Sequence, residues 1–149
     1  MAAHHPADPD APQPRTGSTR TDGTGRAGRA HRVRVVPGTE HVRVEIAGRL
    51  VAESVRPLLV YETGLPVRYY LPAQDVDLSL FEPTTTHTVC PYKGTASYWS
   101  YTGGGEVRPD VVWSYRDPIP AVAALKDHLS FYDTVADITV RRPPGPATG

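Results

Sequence analysis

Apolar and polar residues alternate along much of this chain with a period of two, the signature of half-buried β-strands. Val42, Val44 and Ile46 alternate with Arg43, Glu45 and Ala47. Gly48-Arg49 offers a two-residue hairpin turn before Leu50-Val51-Ala52-Glu53. After Pro57, Leu58-Leu59-Val60-Tyr61-Glu62 predicts a short strand that stops at Gly64-Leu65-Pro66, and Arg68-Tyr69-Tyr70-Leu71 predicts another. Asp75-Val76-Asp77-Leu78-Ser79-Leu80-Phe81 fits a helical turn or a strand equally well. Residues 95–101 and 106–115 predict a hairpin across Gly103-Gly104-Gly105, with Pro109 implying an edge or a bulge. Phe131-Tyr132 and Ile138 to Val140 supply a closing strand.

One segment departs from this period. Ile119, Val122, Leu125 and Leu129 recur at helical spacing after Asp117, Pro118 and Pro120, which suit a helix cap and first turn. Ala121, Ala123 and Ala124 favour the same state. The expected fold is therefore mainly β: a small antiparallel domain with one C-terminal helix.

Composition sets the limits of that domain. Residues 1–31 are rich in Pro, Gly, Thr and Arg and hold no aromatic residue, so they read as a disordered leader. The Pro-Gly run at residues 142–149 reads as a disordered tail, which leaves 32–141 as the folded part. Sixteen basic and sixteen acidic residues cancel, so no global field points to nucleic acid or an anionic membrane. A single cysteine excludes an intrachain disulfide and a multi-cysteine zinc site. No apolar run approaches the roughly 18 to 20 residues of a membrane helix, and a soluble cytoplasmic protein is expected.

Four ordered motifs carry a family resemblance. They are Glu62-Thr63-Gly64-Leu65-Pro66; Tyr69-Tyr70-Leu71-Pro72 with Asp75-Val76; Cys90-Pro91-Tyr92-Lys93-Gly94-Thr95-Ala96-Ser97-Tyr98; and Trp113-Ser114-Tyr115-Arg116-Asp117-Pro118. Together they resemble the family called domain of unknown function 427, over about residues 40 to 140. The resemblance implies a β-rich domain similar to the β-tent of methionine sulfoxide reductase B and Rab-binding zinc proteins. The chain lacks the Cys-x-x-Cys pairs of the zinc-bearing members, so neither metal nor their activities carry over, and no cofactor is expected.

The family is sometimes labelled nucleotidyltransferase-like, and the residues argue against that chemistry. Nucleotidyl transfer needs metal-holding carboxylates and a glycine-rich turn opening a helix beneath the phosphates. Asp75 and Asp77 stand two apart, but no such turn precedes them, and Gly103-Gly104-Gly105 reads as a hairpin loop.

The densest chemistry lies in the Cys-Pro-Tyr-Lys-Gly motif. Cys90 closes an extended segment before Pro91, and Lys93-Gly94 supplies a turn at the mouth of a sheet. Cys90 and Lys93 are the candidate catalytic pair: Lys93 or His87 could stabilise a thiolate, or Lys93 could face an anionic ligand. A buried structural thiol and a solvated lysine are the competing readings. Glu62 could pair with Lys93 or Arg68 or act as a base, and Tyr69, Tyr98 and Trp113 complete the candidate ligand-binding set.

All twelve aromatic residues fall between Tyr61 and Tyr132, and eight are tyrosines, which suit both a half-buried sheet and a pocket wall. Two functions of different class follow. The first is a small-molecule-binding domain, catalytic or not, with its pocket around the motif. The second is a non-catalytic protein-interaction module presenting an exposed aromatic sheet face; convergence of Glu62, Cys90 and Lys93 on one cavity distinguishes them.

Overall fold

Strand alternation translates directly into burial in a computed structural model, which describes residues 30–143. The disorder expected of the leader and the tail lies outside the described residues, except at their inner ends. Ten strands form: β1 (Val33–Pro37), β2 (His41–Ile46), β3 (Arg49–Ser54), β4 (Leu58–Glu62), β5 (Arg68–Pro72), β6 (Phe81–Cys90), β7 (Gly94–Tyr101), β8 (Arg108–Tyr115), β9 (His128–Phe131) and β10 (Asp137–Arg141). They make two antiparallel sheets. The larger runs β1-β4-β5-β9-β8-β7-β6, and the smaller runs β10-β2-β3.

The predicted hairpin forms between β2 and β3, with its turn one residue earlier than the glycine suggests. Ala47 and Gly48 both hold positive φ, 51° and 81°, the requirement of a tight turn whose twist matches its strands. Pro109 marks a bulge: Trp99 pairs with Val112 but Tyr101 pairs with Arg108, so β8 carries extra residues there. Asp110 adopts φ 50° at this bulge, and its buried carboxylate accepts hydrogen bonds from Thr84 Oγ1 at 2.7 Å and Thr86 Oγ1 at 2.8 Å. The same interruption appears opposite, where β6 shifts register between Pro83 and His87.

The C-terminal helical segment is present only as 3-10 turns over Pro120–Leu125, broken at Val122, whose φ of −127° is not helical. Ile119 and Lys126 are extended on either side, and six residues are too few to sustain an α-helix against nucleation cost. Val122 and Leu125 are buried as the apolar spacing requires. Leu129 belongs instead to β9, where it pairs with Leu71. The ambiguous stretch resolves into 3-10 turns at Ala73–Asp75 and Leu78–Leu80. Phe131 and Ile138 sit on separate strands, β9 and β10, in different sheets.

The large sheet curls. β4 lies near one end of the strand order and the β6–β7 turn at the other, yet Lys93 of that turn reaches Glu62 at the end of β4. The 3-10 segment after β8 likewise contacts β1. Opposite faces of the curled sheet therefore bury different cores. The outer face packs on the small sheet through Val42, Val44, Ile46, Val51, Leu71 and Phe131. The inner face encloses Tyr70, Cys90, Tyr98, Trp113, Tyr115 and Tyr132.

Candidate functional site

The Cys90-Pro91-Tyr92-Lys93 turn closes the hairpin of β6 and β7. Lys93 N–H donates to the Cys90 carbonyl at 3.1 Å, a four-residue turn, and the Ile119 N–H donates to the Lys93 carbonyl at 3.0 Å. Gly94 has φ 124°, and a Cβ there would stand 3.3 Å from the Asp117 carbonyl oxygen. Only glycine meets both demands. With its backbone fixed against residues 117–119, the turn sends the Lys93 side chain inward.

Lys93 is fully buried, which corrects its reading as a solvated loop lysine. Its Nζ donates to Glu62 Oε1 and lies 5.9 Å from the centroid of Tyr115. Glu62 keeps only 3% of its side chain exposed, and its Oε2 bonds His31 Nε2 at 2.8 Å. The His31 ring in turn stacks on Tyr92, with centroids 4.0 Å apart. Glu62 thus pairs with Lys93 and not Arg68, which approaches Asp133 at 3.7 Å and lies over the Trp113 ring. Losing one member of a buried pair leaves the other charge uncompensated, at a cost of about 3–5 kcal/mol.

Cys90 is 1% exposed, and burial pushes its thiol above the ordinary range. The Lys93 charge and the backbone N–H groups of Tyr92 and Lys93 pull the other way, and Glu62 adds to the rise. Desolvation wins. Cys90 therefore has the character of a packed thiol. His87 offers no help, because it is exposed on the opposite face of β6 and bonds the Ala96 carbonyl at 3.3 Å.

Tyr98 and Trp113 face the same interior. Tyr98 Oη shares a 2.9 Å hydrogen bond with Thr88 Oγ1, and Trp113 Nε1 donates to Tyr70 Oη at 2.9 Å. Glu62, Cys90, Lys93, Tyr98 and Trp113 are therefore brought to one side of the sheet. Tyr69 is not. It alternates with Tyr70, faces the small sheet, and lines a separate cleft of about 320 Å³ with Ser130 and Ile138. There burial and the nearby Glu40 carboxylate raise its phenol above the usual value.

A surface cleft of about 500 Å³ lies against β1 and the end of β4, and Glu62 forms part of its wall with Arg32, Arg34, Tyr61 and Thr63.

The model of the family described as a domain of unknown function, DUF427, matches residues 34–142. The chain belongs to this family. The matched span takes in all ten strands save the first residue of β1. A comparison with curated proteins finds no match.

The DUF427 domain uses its other candidate features structurally. Asp75 accepts hydrogen bonds from Arg56 Nε at 3.1 Å and Ser54 Oγ at 2.7 Å, and the arginine contact first of all holds its carboxyl below the usual range. Asp77 caps the Leu78–Leu80 turn by accepting from Ser79 N–H. The two carboxylates are thus engaged separately. Among the described residues no group of three or more His, Cys, Asp or Glu side chains is placed to hold a metal ion.

Sequence reading missed three members of the site. His31 was assigned to the leader on composition, although it contacts Glu62 and Tyr92. β1 was not recognised as a strand, although Val33, Val35 and Val36 carry the signal. Tyr115 was quoted within a motif but not placed beside Lys93, and the alternation of Trp113 and Tyr115 on one face of β8 could have shown it.

Proposed function

We propose that this DUF427 domain binds a small molecule at the Glu62–Lys93 end of its aromatic core, entered through the cleft beside β1. One observation carries the reading: a fully buried lysine is paired with the carboxylate of Glu62, a residue that also borders a solvent-open cleft. Buried ion pairs contribute little net stability compared with apolar side chains of similar size, so a fold with two apolar cores has no need of one for folding. Preorganised charges at a cleft suit ligand recognition, and about 500 Å³ is ordinary for a metabolite site. Lys93 then acts by fixing the Glu62 carboxylate, and Cys90 by packing beneath the turn. The proposal is of binding, and no reaction is assigned.

The alternative, an interaction module with an exposed aromatic sheet face, has less support. Of the twelve aromatic side chains, Tyr61 and Tyr92 are exposed, and they do not form a continuous sheet face. The cytoplasm is the proposed compartment, on a sequence whose one cysteine can form no intrachain disulfide. No helix among the described residues is long and apolar enough to cross a membrane.

A thermal-shift screen of neutral, cationic and anionic metabolites tests the reading, with hits located by amide NMR. A hit should perturb residues 31–34 and 61–63 and lose about tenfold in affinity in Glu62→Gln, which weakens the Lys93 and His31 contacts that hold the cleft wall. Hits that all map to the Tyr69 cleft, or bind Glu62→Gln unchanged, would overturn it.

A further inference from the structure

We infer that the cleft beside β1 takes a phosphoryl group, held between the guanidinium groups of Arg32 and Arg34. The inference rests on the cleft being the ligand entrance, and it names the ligand's class. Arg34 pairs in register with Tyr61, and its guanidinium carbon lies 5.0 Å over the Tyr61 ring. That cation–π contact holds the guanidinium beside the cleft. Arg32 stands two residues earlier and so on the same side of the extended chain. Its backbone is tied on both sides to Thr63: Arg32 N–H donates to Thr63 Oγ1 at 2.8 Å, and Thr63 N–H donates to the Arg32 carbonyl at 3.1 Å. The two arginines therefore border one cleft from fixed backbone positions.

Their charges are the second observation. Arg43, Arg56 and Arg68 each approach a carboxylate within ion-pair distance. Among the described residues, no carboxylate pairs with Arg32 or Arg34, although both line a concave site. Glu62 is the acidic group on that wall, and Lys93 and His31 already occupy its two oxygens. What faces a ligand is therefore two guanidinium groups whose positive charge is not offset by that carboxylate. A lone carboxylate has two oxygens and is satisfied by one fork, whereas a phosphoryl group has three terminal oxygens and can accept from two forks at once. Thr63 Oγ1, at the rim, also donates to the Arg32 carbonyl at 3.3 Å and so serves to hold Arg32 in place.

The test uses the full chain, isotopically labelled, titrated at constant ionic strength with inorganic phosphate, phenyl phosphate and benzoate. Both phosphates should give saturable shifts at the Arg34 and Thr63 amides, with benzoate weaker. Arg32→Gln and Arg34→Gln should each weaken phosphate binding about tenfold and leave the unliganded melting temperature unchanged. Shifts that do not saturate, shifts centred on the arginines of residues 1–29, or wild-type affinity in both variants would overturn the inference. A cleft that binds benzoate or neutral metabolites but not phosphate removes the phosphoryl class while the binding reading survives. A cleft that binds none of the probes and no screened compound removes both.

Discussion

The two faces of the large sheet bury cores of opposite character, and the contrast separates a core held by apolar packing from one that ends in a buried ion pair. The outer core, against β10-β2-β3, is built mainly from Val, Leu, Ile and Phe side chains. These gain stability from area removed from water and close packing, with few polar groups to satisfy. The inner core holds Tyr70, Tyr98, Trp113, Tyr115 and Tyr132 around Cys90, and the Lys93–Glu62 pair closes its end. Each polar tip there demands a partner. Trp113 finds Tyr70, Tyr98 finds Thr88, and Lys93 finds Glu62. The outer core needs only shape, whereas the inner core needs shape and a satisfied network, and such networks are costly when broken at one point.

The largest expected effect breaks the inner core. Lys93→Ala strands the Glu62 carboxylate and should cost about 3–5 kcal/mol in urea unfolding. The paired replacement Lys93→Met with Glu62→Leu removes both charges and should recover most of that loss while abolishing ligand binding. A double variant as unstable as the single one would assign the pair to the scaffold.

In the outer core, Leu129→Ala should cost about 2–5 kcal/mol by cavity formation, with ligand affinity unchanged. Loss of affinity in parallel with stability would show that the two cores act as one unit. A smaller effect is expected from Tyr70→Phe, which leaves the Trp113 indole N–H without its acceptor and should cost about 1–3 kcal/mol.

Cys90 sharpens the comparison through pH. Its folded thiol ionises above the unfolded value, so its contribution is complete below about pH 8.5, the ordinary cysteine value, and falls as pH rises toward the folded value. Stability of the wild type should therefore decline from about pH 8.5 upward more steeply than that of Cys90→Ala. Native Cys90 should also resist iodoacetamide at pH 7, and rapid alkylation there would restore it as a candidate nucleophile. The smallest effect belongs to His31→Ala, which removes a hydrogen bond at the rim and should cost about 0.5–1.5 kcal/mol.

Much of this was legible along the chain. Val42, Val44 and Ile46 declared their shared face by alternation alone, and all three are buried. Gly94 declared a turn, and the density of reactive side chains around it pointed to the segment that carries Lys93. The helix was overread because spacing of three to four is shared by α and 3-10 turns, and nothing local showed that the chain would re-enter the sheet at His128. Lys93 was misjudged for a related reason: a lysine beside a glycine in a turn is ordinarily solvated, and its burial depends on a carboxylate 31 residues away.

Sequence by itself determined the β class, the positions of most strands and which faces of them are apolar, because these follow from a two-residue period acting between neighbours. It also placed a turn at Lys93-Gly94, because Pro91 and Gly94 carry local backbone signals. Only the tertiary structure decided that the large sheet curls, because curling depends on twist accumulated across seven strands. That curl brings the β6–β7 turn to the end of β4 and buries Lys93 against Glu62.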